Sequence, residues 1–193
     1  MDTLSHGKKA QSRRRIVEAA SRSVRRSGFH GVGVAEVMKE AGLTHGGFYS
    51  HFPSRDALLA EALVLASKDI GTLINANVSR LARQGQSRFS AFVETYLHDS
   101  QIVDCENGCP VAALCSEMPQ QAGDVLDSSR QIVFNLHRLV RQAMPKYAGD
   151  AAAWAVAGAL IGAMQLARAL GDNEQGRAVL AAARADLIDR HDH

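Results

Sequence analysis

The chain has 193 residues, 46% hydrophobic and 22% charged, a balance that excludes wholesale disorder and leaves room for one sizeable core or two small ones. The net charge of +2 hides a division: residues 1–56 carry ten Lys/Arg against five Asp/Glu, and residues 57–193 carry twelve against fifteen. A basic quarter on a mildly acidic remainder points to a polyanionic partner at one end, although a solvated basic helix gives the same count.

Four prolines and an abundance of alanine, the strongest helix former, predict an all-α protein. The first fifteen residues are polar and lack the basic-then-apolar layout of a secretory signal. The most apolar stretch, 151–164, stops short of Gln165 and Arg168 and reads as too short for a bilayer, which needs roughly 20 apolar residues. A cytoplasmic chain without a membrane partner is expected, its three cysteines reduced rather than bridged.

In chain order, apolar Ile16, Val17, Ala20 and Val24 mark a helix over 9–27 that stops at Ser27-Gly28. A connector at 29–32 leads to a helix over 34–41, with Val34, Val37 and Met38 on one face and Gly42 at its end. Thr44 is placed to cap a short helix over 45–51, which Phe52-Pro53 ends because the residue before proline leaves the helical region. Ser54 caps a long helix from Arg55 to about Arg83, broken at Gln84-Gly85-Gln86. Further helices are expected at 87–103, from Pro110, and at 122–144, 150–170 and 174–190; Phe89, Phe92, Val93, Tyr96 and Leu97 form the clearest stripe. The expectation is about nine helices: a three-helix basic head over 1–54 and a larger helical body over 55–193.

The sharpest constellation runs from Val34 to Phe52. Two short helices about a Gly42-Leu43 turn meet the geometric requirement of a helix-turn-helix, with Ala35, Val37, Met38, Leu43 and Phe48 as its expected core. The second helix is then the one that enters the major groove. The run Leu-Thr-x-Gly-x-Phe-Tyr-x-His-Phe from Leu43 to Phe52, followed by Pro53-Ser54-Arg55-Asp56-Ala57-Leu58-Leu59 and preceded by Gly28-Phe29, closely resembles the tetracycline-repressor (TetR) family over residues 10–60.

That resemblance implies a transcriptional regulator and not an enzyme: a repressor that grips a near-palindromic double-stranded DNA operator as a homodimer and is released by a small-molecule inducer or a thiol-reactive species. It implies phosphate contacts from Thr44 and Tyr49, a phosphate or base-edge contact from His51, and a phosphate anchor at Arg55. His45 occupies the slot of a base-reading residue. The sequence departs from the family in carrying Gly47 beside Gly46, each costing about 1 kcal/mol of helix propensity; either the head is loose before binding or bare backbone approaches DNA at these two positions. Arg13–Arg15 are expected to add electrostatic affinity.

For the body, the resemblance implies C-terminal helices that dimerise and enclose a ligand pocket. The small residues around Gly158, Ile161 and Gly162 let two helices approach closely, and Val179, Ala183 and Leu187 supply the second half of a four-helix interface; intrachain packing accounts for the same residues. Phe92, Tyr96, Met118, Phe134, His137 and Trp154 mix aromatic, soft and hydrogen-bonding groups as a pocket lining would, and as a plain core would. Cys105, Cys109 and Cys115 form a thiol cluster. Cys109 precedes Pro110 and so lies at a helix start that stabilises a thiolate, a candidate for oxidation or electrophile capture, whereas Cys115 is expected to be buried and inert. The Cys-x3-Cys-x5-Cys spacing suits no usual zinc site, and His191 and His193 read as solvated chain-end residues. Without a glycine-rich phosphate loop or a carboxylate pair, no catalytic residue, metal or cofactor is assigned.

Overall fold

The computed structural model describes residues 2–192, with side chains from residue 7 onward. Met1 and His193 fall outside the described residues, and with them the reading of His193. Among the described residues the secondary structure is all-α: eight α-helices, the 3-10 segment His45–Ser50, and short 3-10 turns at Asp99–Gln101 and Met118–Gln120.

Helix α1 (Asp2–Ser27) starts before residue 9, and its stripe of Ile16, Ala20 and Val24 is fully buried. It ends at Gly28, where φ is +71° and a Cβ would lie 2.5 Å from the Glu117 carboxylate. Glycine is needed there on both counts, because that carboxylate accepts the Phe29 N–H at 2.9 Å. Helix α2 (Val34–Glu40) buries Val37 and Met38, while Ala35, expected in the head core, faces solvent and Leu43 is half-buried.

Helix α3 (Arg55–Arg83) opens on the Ser54 cap, whose hydroxyl accepts the Ala57 N–H at 3.1 Å. Its buried residues, from Leu58 through Leu63, Ile70 and Ile74 to Val78, recur every three or four positions. With that stripe it packs on α1, on α4 (Arg88–Tyr96) and on α6 (Gly123–Ala143). The helix expected over 87–103 ends at Tyr96. His98 turns extended and its ring nitrogen accepts the Ser100 N–H, so that His98, Asp99 and Ser100 follow their preference for caps over helix interiors.

Helix α5 (Pro110–Leu114) is a single buried turn with Cys109 as N-cap. Helices α7 (Asp150–Leu170) and α8 (Glu174–His191) pack against each other, and α7 also meets α5 and α6. The sequence reading of the apolar stretch at 151–164 is corrected here. The helix extends to 21 residues and by length and composition alone is apolar enough to cross a membrane, yet its inner face, from Ala153 through Leu160 to Ala167, belongs to the core.

The α7–α8 corner depends on Gly176, where a Cβ would lie 2.1 Å from the Gly171 carbonyl oxygen. Gly176→Ala is therefore expected to destabilise the protein by about 1–3 kcal/mol through overpacking, although the same exchange on an open helix face gains up to about 1 kcal/mol. Urea unfolding of the two proteins decides the sign.

Candidate nucleic-acid interface and sensing core

The head is organised by aromatic packing. Phe48 and Phe52, each 1% exposed, stack with centroids 5.8 Å apart and fill the space against α1 and α2. Fixing Phe48 inward turns its neighbour out: Tyr49 is 75% exposed and touches Phe48 only edge-on, at 5.2 Å. His45 and Gly46 are exposed beside it.

The second helix differs from expectation in its winding. It is a 3-10 segment whose Gly47 N–H returns to the Thr44 carbonyl at 3.1 Å, and Ser50 Oγ donates to the Gly47 carbonyl at 2.7 Å. Two glycines in six residues remove the propensity that would hold a regular α-helix. Thr44 has the extended backbone of a cap, but its hydroxyl makes no capping bond and is exposed. Neither Gly46 nor Gly47 has a positive φ; a Cβ on Gly46 would meet nothing within 4 Å, and one on Gly47 would reach only ordinary contact distance. Nothing inside this chain requires glycine at either position.

His51 is half-buried with its Nδ1 sealed from solvent and unbonded. Burial lowers its pKa, and the neighbouring charges of Lys9 and Arg13 lower it further, so the ring is neutral at physiological pH.

Arg55 is placed differently from the expected phosphate anchor. Its guanidinium is half-buried and donates to the carbonyls of Phe29 and Val32, which fixes the connector between α1 and α2 to the start of α3. Arg13 is likewise occupied. It makes a two-pronged pair with Glu61 of α3, and its guanidinium carbon lies 4.4 Å over the Phe52 ring. Arg14 pairs with Glu18 one turn on, leaving Arg15, with Lys8 and Lys9, on the open surface of α1.

Sequence reasoning missed the junction between head and body. Arg25, 6% exposed, donates to Ser21 and to the Gly108 carbonyl at 3.1 Å; Arg26 pairs with Glu106 at 2.6 Å; and Glu117 holds the Phe29 amide. An arginine on the buried arc of α1, one residue after Val24, was the available signal.

In the body the expected pocket residues separate into two groups. Phe92, Tyr96 and Met118 are buried, and Phe92 stacks on Tyr96 at 6.1 Å. Phe134 and Trp154, 58% and 41% exposed, instead form an outer cluster with His137, which stacks on Trp154 at 4.1 Å. Those three lie on the outward faces of α6 and α7 and line no interior space with Tyr96.

The thiols also differ from expectation. All three are free. Cys109 does begin a helix, but it is 7% exposed, and burial raises its pKa against the smaller opposing pull of the Tyr96 hydroxyl and the amides of Ala112 and Val111. Desolvation outweighs the helix start, so the thiol stays protonated. Cys105 is half-buried, with its sulfur 3.8 Å from the Ile102 carbonyl. Cys115 is half-buried rather than enclosed and borders a surface groove with Met118 and Val133.

Of the expected interface residues, Gly158 is exposed, while Ile161, Gly162, Val179 and Ala183 are half-buried. Leu187 is 4% exposed and belongs to this chain's own core.

A helix-turn-helix with an outward tyrosine is the geometry of a DNA-reading head. Residues 16–62 match the family described as "Bacterial regulatory proteins, tetR family". It is 39% identical over 56 residues to the HTH-type transcriptional regulator YdgC of Bacillus subtilis, a match covering 29% of each chain. To YxaF of the same organism it is 26% identical over 110 residues, 56% of this chain and 57% of that one; these matches thus span well under two thirds of either relative. The fold as a whole superposes on a TetR regulator from Chloroflexus aurantiacus with a TM-score of 0.72, at 19% identity over 93% of each chain.

Two expectations follow from these placements. Replacing Arg55 by Ala loses two charge-assisted bonds and should destabilise folding by about 1–3 kcal/mol, seen as an earlier unfolding midpoint without DNA present; a pure phosphate anchor would leave that midpoint unchanged. Iodoacetamide at neutral pH should label Cys105 before Cys109, with Cys109 reacting at comparable rate only after denaturation, as peptide mass spectrometry reads directly.

Proposed function

We propose that this regulator is a cytoplasmic repressor that binds a near-palindromic operator as a twofold homodimer and leaves the DNA when a small molecule occupies its body. The head is residues 1–54 and the body 55–193. The observation that carries the reading is Tyr49, held out at 75% exposure by the buried Phe48–Phe52 pair, beside exposed Thr44, His45 and Gly46. Hydroxyls at Thr44 and Tyr49 suit phosphate oxygens, and His45 is the side chain available to a base edge. The open space around Gly46 and Gly47 suits close approach of the sugar-phosphate backbone. His51 stands behind this row, and Arg55 acts by positioning it.

Dimerisation is supported by the outer faces of α7 and α8. Trp154, Gly158, Leu166 and Leu170 are exposed along α7, and a Cβ on Gly158 or Gly162 would touch nothing in the chain. Alanines 178, 181, 182 and 185 are exposed on α8. Helices apolar on both sides pack on both sides. Two heads related by a twofold axis then meet half-sites about 34–36 Å apart.

Release by a thiol-reactive species is the second reading, favoured by Cys105, which adjoins the Glu106 carboxylate that pairs with Arg26 of α1.

Fluorescence anisotropy with DNA from upstream of the protein's own gene, across a salt series, tests the assignment. Affinity should fall steeply with salt as counterions return to the phosphates. Tyr49→Phe is expected to weaken all sequences alike, whereas His45→Ala should change preference at one base position by about 1–3 kcal/mol. Weak binding indifferent to sequence would remove the repressor reading.

A further inference from the structure

The least explained group in the body is the Tyr96 hydroxyl. Tyr96 is 5% exposed and its oxygen makes no hydrogen bond of ordinary geometry; its neighbour, the Cys109 thiol, is only a weak partner. An unmet buried hydroxyl costs about 1–3 kcal/mol, so its retention calls for an occupant that accepts from it. Space for one adjoins it. Two inner chambers, each of about 10 Å³ and so no larger than one water requires, lie against Tyr96 and Cys109. The second shares Leu73, Thr95 and Gln101 with a vestibule of about 420 Å³ between α3 and α4, within the range of small-molecule sites.

The charge lining the inner chambers is one-sided. Arg168 lines the second chamber; its Nε and Nη2 donate to the Gln101 carbonyl, and its Nη1 has no partner among the described residues. Arg25, behind Gly108, bonds only to Ser21 and the Gly108 carbonyl, and Asp69 and Asp104 act on it without ion-pair contact. No Asp or Glu lines either inner chamber, and the protonated Cys109 supplies no counter-charge. At the vestibule rim one arginine, Arg80, accompanies one carboxylate, Glu94. A guanidinium as buried as that of Arg25 is ordinarily matched by an anion, and Arg168 is half-buried at the chamber wall. The remaining walls are apolar, with Ile70, Ile74 and Leu136 foremost.

We infer that Tyr96 and Arg168 form the polar end of an inducer site for small apolar monocarboxylates, whose bodies lie in the vestibule while the carboxylate reaches past Leu73 and Gln101 to both donors. This rests on the ligand-release reading above. It selects against amines, which would meet unmatched guanidinium charge, and against neutral isosteres, which forgo the ionic contact.

The test is calorimetric titration of the full-length protein with benzoate and phenylacetate, beside benzamide, phenylacetamide and benzylamine, together with anisotropy of the DNA complex. The carboxylates should bind at least tenfold more tightly than their amides, and benzylamine should give no heat. Tyr96→Phe and Arg168→Gln should each weaken the carboxylates at least fivefold. Tyr96→Phe removes only the unmet hydroxyl, so its unfolding midpoint should equal or exceed that of the parent, which keeps the test intact if Arg168→Gln does not fold. Absence of carboxylate binding, amides binding as tightly as acids, or unchanged affinity in Tyr96→Phe overturns the site. Carboxylate binding that leaves the DNA complex intact overturns ligand release and keeps the site; release by compounds indifferent to Tyr96→Phe does the reverse.

Discussion

The attachment of the head to the first turns of α3 is the constraint on which the rest depends. This helix is 29 residues long, about 44 Å at the α-helical rise, and it packs on both the head and the core of the body. Its N-terminal end is fixed by three interactions of different kinds: the Ser54 cap, the Arg55 bonds to the connector carbonyls, and the Glu61 pair with Arg13. Exposed ion pairs contribute little on their own. Here they act on a surface already aligned by Leu58, Leu59, Ala62 and Leu63, all buried, so the polar contacts select an orientation that apolar packing stabilises.

The second tie between the halves is polar and local. Arg25, Arg26 and the Phe29 amide all reach acceptors within residues 106–117, a segment containing only one helical turn, α5. Irregular backbone of this kind rearranges at lower cost than a packed helix pair, because few intrahelical bonds must break. The head is thus joined to the body by one rigid lever and one adaptable clasp.

How much of this was readable in the sequence follows the range of the interactions. The helix-turn-helix, the Ser54 cap and the bounds of α3 depend on neighbours within a few positions, and periodicity and cap chemistry exposed them. Phe48 and Phe52 were legible as core for the same reason. The site residues whose placement departs from expectation have partners distant in sequence, whereas the end of α4 at Tyr96 is set by the local cap at His98. The resemblance gave Arg55 the role of phosphate anchor, and its carbonyl acceptors, more than twenty residues upstream, left no local sign of a structural one. Cys109 looked activated because the helix start is local information, whereas the burial that protonates it comes from helices dozens of residues away. Phe134 and Trp154 have the composition of a pocket wall, but only the packing of α6 on α7 decides which face is outward. The 3-10 winding of 45–50 lies between these cases: its two glycines were noticed, and their consequence was a change of helix type.

The clasp and the cavity share backbone, and this bears on how a signal could cross the molecule. Cys109, Pro110 and Val111 line the inner chambers, while Gly108, one residue earlier, accepts from Arg25 of the head. Expanding a chamber of about 10 Å³ to admit a ligand must move at least one wall. The walls on α3 and α6 are held by long helical packing, whereas 108–111 belongs to a segment with a single helical turn and is the wall expected to give. Allosteric couplings typically amount to about 1–3 kcal/mol, and one or two charge-assisted bonds to a carbonyl are of that size. Displacing the Gly108 carbonyl from Arg25 therefore suffices in magnitude, without reorganisation of the core, to make the orientation of the head depend on what fills the body.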